Sequence, residues 1–159
     1  MDDRRMARYE RILEQLRGLI EDASPSLTAA MATICAVLHA KMPHHFWTGF
    51  YFVAGADELH VGPYQGPLAC QILKGTGVCL CAAASGAPVV VPDVEAFPGH
   101  IACDTRSKSE IAIPLKASDR VVAVFDVDST EVCQFTDEDV PPLSHILSLL
   151  DPLLTSLGR

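Results

Sequence analysis

With 159 residues and 49% apolar side chains, the chain has the length and composition of one domain with a filled core. Its 12 Lys and Arg against 20 Asp and Glu leave a net charge of −8, which excludes the concentrated basic surface that nucleic-acid binding requires. Met1-Asp2-Asp3-Arg4-Arg5 lacks the apolar stretch of a secretory signal, and no run approaches the ~20 apolar residues of a membrane span, so a cytoplasmic protein away from membranes is expected.

Residues 4–22 carry Met6, Tyr9, Ile12, Leu13, Leu16, Leu19 and Ile20 at three-and-four spacing, which predicts a helix with one buried face. Ser24 as cap and Pro25 at the first helical position predict a second helix over about 25–40, ending before Pro43. From Phe46 the period changes. Trp47-Thr48-Gly49-Phe50-Tyr51-Phe52-Val53 suits a strand, and Ala54-Gly55-Ala56-Asp57 turns it into a second near Leu59–Val61. A third short strand is expected around Cys70–Leu73, then a short helix over Cys79–Ser85 closed by Gly86, then a buried strand at Val89-Val90-Val91. Residues 93–106 read as a loop. Ile111–Leu115 and Val121–Asp126 form a hairpin around Ala117-Ser118-Asp119.

Leu143, Ile146, Leu147, Leu150, Leu153, Leu154 and Leu157 predict one C-terminal helix over about 140–157. Thr136 with Asp137, Glu138 and Asp139 suits a helix start, but Pro141 and Pro142 would then fall in a second turn, so the start is set near Val140. The whole reads as a single α+β domain over 1–159. Its sheet core spans about 46–128, with about six mostly antiparallel strands and the N- and C-terminal helices on one sheet face.

Six cysteines in a reducing compartment argue against a permanent disulfide framework and leave redox chemistry, metal binding or packing. Cys70, Cys79 and Cys103 lie near Gly-rich or helix-forming sequence, and Arg106 and Lys108 follow Cys103, where cations favour a thiolate. Cys35 sits in an apolar helix and reads as inert, as do Cys133 and Cys81. His100 reads as a loop-packing or capping residue. Alternation along Val124-Phe125-Asp126-Val127-Asp128 puts both acids on one side of a strand with Val124, and Phe125 and Val127 on the other. A solvated face is the plain reading of those acids; a cleft that receives a cation is the sharper one. Cys79-x-Cys81 with His100-x-x-Cys103 also supplies four zinc ligands in number, with a C-x-C spacing tighter than the usual two to four residues.

At these residues the sequence resembles the free methionine-R-sulfoxide reductases, a family of GAF-domain proteins. The element order admits a GAF or PAS-like fold, and the resemblance chooses between them. It runs from Trp47 to Asp139 through Trp47-Thr48-Gly49-Phe50-Tyr51, Gly62-Pro63-Tyr64-Gln65-Gly66, Ala69-Cys70, Gly77-Val78-Cys79 and Val91-Pro92-Asp93-Val94. Phe97-Pro98-Gly99-His100-Ile101-Ala102-Cys103-Asp104, Ser109-Glu110-Ile111 and Asp126-Val127-Asp128-Ser129 complete it. The chain departs from the pattern in a Cys70-to-Cys79 segment one residue short and in Leu80-Cys81 after Gly-Val-Cys.

The resemblance implies that Cys103 is oxidised by substrate, that Cys70 resolves it, and that Cys79 is an alternative or relay. It further implies that Glu110, Asp126 and Asp128 are substrate-site carboxylates and that Trp47 and Tyr51 line the pocket. No metal or organic cofactor enters such a cycle. The partners it implies are the free sulfoxide and a thioredoxin-type reductant, and a homodimer is allowed. The rival from another class is a GAF domain that only senses a small ligand, for which the three cysteines would be unnecessary.

Overall fold

The computed structural model describes residues 2–23 and 26–155. Helix α1 (Asp3–Glu21) starts where the Asp2 carboxylate accepts the Arg5 backbone N–H at 2.7 Å, and it buries Tyr9, Ile12, Leu16 and Ile20. The expected Ser24-Pro25 start of the second helix lies outside the described residues; α2 (Leu27–Lys41) is capped by Ser26, whose Oγ accepts the Ala29 N–H at 3.2 Å.

Six strands follow: β1 (Trp47–Gly55), β2 (Glu58–Gln65), β3 (Ile72–Lys74), β4 (Val89–Val91), β5 (Ser109–Ala117) and β6 (Arg120–Ser129). They form one antiparallel sheet in the order β3-β2-β1-β6-β5-β4. The β5–β6 hairpin closes through Ser118 and Asp119, both with positive φ, the mirror-image turn that suits a twisted two-residue connection. The third strand begins at Ile72 rather than Cys70, because Ile72 is the first residue that pairs with β2, at His60; Cys70 is left in the preceding loop. Helix α3 (Val78–Ser85) joins β3 to β4 and ends at Gly86, whose φ of 65° is the left-handed turn that glycine takes without strain.

Two cores lie on the two faces of this sheet. On one, α1, α2 and the C-terminal helices pack against Phe50, Ile111, Ile113, Phe125 and Val127. On the other, α3 and the loops cover Trp47, Tyr51, Val91, Ala112 and Val124.

The expected single C-terminal helix is broken. Residues Asp137–Asp139 make a separate 3₁₀ turn, so Pro141 and Pro142 fall in the first turn of α4 (Val140–Leu147), where proline is tolerated. A 3₁₀ turn at Ser148–Leu150 then leads into the short α5 (Asp151–Leu154). Pro152 has no N–H for the Ser148 carbonyl and its ring crowds that oxygen, so a continuous α-helix cannot pass through it. Leu157 lies outside the described residues. The buried Asp139 ties the two chain ends together, accepting from Tyr9 Oη at 3.0 Å and pairing with Arg5 at 2.8 Å.

Candidate active site

The central β1–β6 pairing decides what meets on the α3 face. Register sets Trp47 opposite Asp128, Gly49 opposite Asp126 and Tyr51 opposite Val124. On the other side of β6, Glu110 of β5 lies opposite Asp128. Alternation therefore sends the three carboxyls and the two aromatics to one side, as the sequence pattern requires. Trp47 stacks on Tyr51 at 5.6 Å and on Tyr64 at 5.4 Å between ring centroids. Gly49 permits this: a Cβ there would overlap the Trp47 ring and lie 2.5 Å from Tyr64 Cβ.

These groups line a cleft with about 580 Å³ of empty space, counting its open mouth. Seven of the eight residues singled out by sequence border it: Trp47, Tyr51, Cys79, Cys103, Glu110, Asp126 and Asp128. The eighth, Cys70, reaches it through a disulfide to Cys103, with 5.4 Å between the two Cα atoms, within normal bridging range. Tyr51 Oη donates to the Cys70 carbonyl at 3.3 Å, joining the aromatic wall to the disulfide loop. The loop bearing Cys103 is tied to the loop before α3 by Thr76 Oγ1, which donates to the Gly99 carbonyl at 3.0 Å.

Buried carboxyls dominate the electrostatics. Glu110 is 6% exposed and Asp126 5%, while Asp128 is half-buried at the same cleft as Ser107. Burial pushes all three well above the usual carboxylate range, and each is pushed further by a neighbouring carboxyl. Asp126 and Glu110 lie side by side, and the charge of Glu110 disfavours ionisation of Asp126, so the pair holds a proton more readily than solvated acids would. Asp126 Oδ1 is buried with no hydrogen-bond partner among the described residues. A buried orphan acceptor costs about 1–3 kcal/mol, and at a cleft it is the mark of a group prepared for a donor that arrives later.

Cys79, the second residue of α3, has its Sγ 3.8 Å from Glu110 Oε1, and burial among these acids pushes its thiol up strongly. His100, read from the sequence as a loop-packing or capping residue rather than a general base, borders the cleft, its Nε2 3.6 Å from Glu110 Oε2. Ser107 and Gly49 were also missed; nothing local in the sequence marks a residue whose role is a contact made across the sheet.

Two sequence expectations are corrected here. Arg106 and Lys108 are paired with acids: Arg106 forks onto Asp104 at 3.0 and 2.7 Å, and Lys108 pairs with Glu95 at 2.7 Å, which weakens the cationic field expected at Cys103. The four-ligand zinc set does not assemble, since Cys81 is exposed and Cys103 is bonded to Cys70. Cys35 lies in the helical core, its thiol donating to the Pro63 carbonyl at 3.4 Å, and Cys133 is exposed. No helix among the described residues is long and apolar enough to cross a membrane.

Residues 9–150 match the GAF domain family. The chain is 44% identical to GAF domain-containing protein A of Dictyostelium discoideum over 144 residues, covering 90% of each chain. It is 39% identical to the free methionine-R-sulfoxide reductase of Escherichia coli over 132 residues, 82% of this chain and 79% of that one. The fold matches the free methionine-R-sulfoxide reductase of Neisseria meningitidis, solved with its substrate, with a TM-score of 0.87 and 38% identity over 95% of this chain and 92% of that one. With its sheet order, its carboxyl-lined cleft and its bridged cysteine pair, the chain belongs to the free methionine-R-sulfoxide reductase family of GAF-domain proteins.

Proposed function

We propose that this protein reduces free methionine-R-sulfoxide to methionine, using Cys103 as nucleophile and Cys70 as resolving thiol. The observation that carries the reading is the Cys70–Cys103 bridge at a cleft lined by three carboxyls, two of them buried. A sulfoxide sulfur becomes electrophilic once its oxygen is protonated, and a carboxyl kept neutral by burial can supply that proton. Cys103 sulfur takes the oxygen: the thiol and the sulfoxide become a cysteine sulfenic acid and the thioether. The Cys70 thiol then condenses with the sulfenic acid, forming the disulfide and releasing one water. A dithiol of the thioredoxin type reopens the bridge by exchange and is itself oxidised to a disulfide.

Selectivity for the free amino acid follows from charge. Free methionine sulfoxide carries an ammonium that a peptide-bound residue lacks. An ionised carboxylate of the cleft pairs with that ammonium, and Asp126 Oδ1, without a hydrogen-bond partner among the described residues, is an acceptor open to it. The stacked Trp47 and Tyr51 rings give the S-methyl group an apolar wall. A sensor domain would use the same fold without needing a cysteine pair at the mouth.

Turnover of free methionine-R-sulfoxide with thioredoxin as reductant tests the reading. Cys103→Ser should abolish turnover in a protein that still folds, because a serine hydroxyl is neither acidic nor nucleophilic enough near neutrality. N-acetylmethionine sulfoxide and the S-sulfoxide should be poor substrates. Equal turnover of the acetylated and free R-sulfoxides would refute the role given to the carboxylates, and an active Cys103→Ser protein would refute the role given to Cys103.

A further inference from the structure

Cys79 takes no part in the two-cysteine cycle, and it stays a free thiol while Cys70 and Cys103 are bridged. It is 3% exposed, beside two carboxyls almost as buried, and the three come from three different elements, α3, β5 and β6. One donor atom from each of Cys79, Glu110 and Asp126 lies within 4.8 Å of the other two. The Cys79 Sγ to Glu110 Oε1 separation is 3.8 Å, and Asp126 Oδ1 has no hydrogen-bond partner among the described residues.

We propose that Cys79, Glu110 and Asp126 form a three-ligand binding site for one thiophilic divalent cation of the zinc class, with solvent completing its coordination. Tetrahedral zinc with bonds of ~2.3 Å to sulfur and ~2.0–2.2 Å to oxygen or nitrogen sets its donor atoms about 3.3–3.8 Å apart. The sulfur–oxygen pair already stands at that distance, and the widest pair must close by about one ångström. Magnesium and calcium are poor occupants, because they take six or more oxygen ligands and have little affinity for a thiolate. On binding, Cys79 and any protonated carboxyl lose their protons to solvent, so affinity rises with pH. A thiolate and two carboxylates then surround the cation, which removes the mutual repulsion that burial imposes on them.

The site stands whether or not the protein turns over sulfoxide. Its consequence rests on the proposed function: the cation and the substrate ammonium need the same carboxylates, so zinc is a reversible inhibitor competitive with methionine sulfoxide.

The test uses the disulfide-bonded protein carrying Cys81→Ser and Cys133→Ser, which leaves Cys79 and the core residue Cys35 as its free thiols. Titration with Co²⁺ should give one equivalent per chain with a sulfur-to-cobalt charge-transfer absorption, and Zn²⁺ should displace it. Cys79→Ser should abolish that absorption, and Asp126→Asn, which retains the thiol, should weaken binding at least tenfold. An unchanged absorption in Cys79→Ser, or unchanged affinity in a folded Asp126→Asn protein, would overturn the site. Turnover separates the two proposals. A cobalt signal without inhibition keeps the site and refutes the ammonium role of the carboxylates. Normal turnover without a cobalt signal refutes the metal site alone.

Discussion

The two faces of strand β6 show how one sheet serves two purposes. Phe125 and Val127 face the terminal helices, are fully buried, and belong to an apolar cluster with Phe50, whose ring centroid is 5.1 Å from that of Phe125. Val124, Asp126 and Asp128 face α3 and the cleft, where burial leaves carboxyls disfavoured as anions and one oxygen unpaired. The helical face is where desolvation stabilises the fold, at about 25 cal/mol per Å² of apolar surface. On the cleft face the same desolvation acts on charges and works against folding. It is tolerated because the helical face holds the strand in place, and it leaves polar groups prepared for a charged visitor.

Substitutions one residue apart should break this comparison in opposite ways. Phe125→Ala should cost about 3–5 kcal/mol of stability, the usual range for removing a fully buried phenylalanine, and urea denaturation would register it. Whatever protein remains folded should keep its substrate selectivity. Asp126→Asn should do the reverse. We expect kcat/KM for free methionine sulfoxide to fall at least a hundredfold, about 2.7 kcal/mol of transition-state stabilisation, with no loss of stability near neutral pH. A folded Asp126→Asn protein of near-normal activity would remove Asp126 from the site. A Phe125→Ala protein as stable as the wild type would show that the helical face does not hold the strand.

Much of this contrast is legible in the sequence because β6 reports it by alternation alone. The Ser118-Asp119 turn and the Gly86 stop are legible for a similar reason, since each acts within a few residues of itself. The cysteine pairing and the substrate role of the carboxyls come from the resemblance; no spacing places Cys70 beside Cys103 across 33 residues. What escaped was non-local. Gly49 has its role because Trp47 and Tyr64, on two strands, lie over it, and His100 because a loop sets it against β5. The break at Pro152 escaped for another reason: the leucine periodicity continues through it while the backbone hydrogen bonds cannot.

The smallest expected effect is a change of slope with pH. Glu110, Asp126 and Asp128 are raised in the folded protein above their unfolded values of about 4. Between those limits the folded state holds protons that the unfolded state has released, so their contribution to stability is full below about pH 4 and declines as pH rises. His44, lowered to about 4 by burial, acts oppositely, since its unfolded form is protonated up to about pH 6.5 and stability therefore rises across that span. Glu58, Glu95 and Asp104, all at the surface, are lowered by their cationic partners and also favour folding as pH rises, weakly because solvent screens such pairs. The wild-type curve alone therefore mixes signs. The difference between Asp126→Asn and wild type cancels every group except the carboxyl cluster. That difference should grow in favour of the variant as pH rises from about 4 towards neutrality. Urea midpoints taken across the range would read it, and a difference independent of pH would mean that the cleft carboxyls ionise as freely as solvated ones.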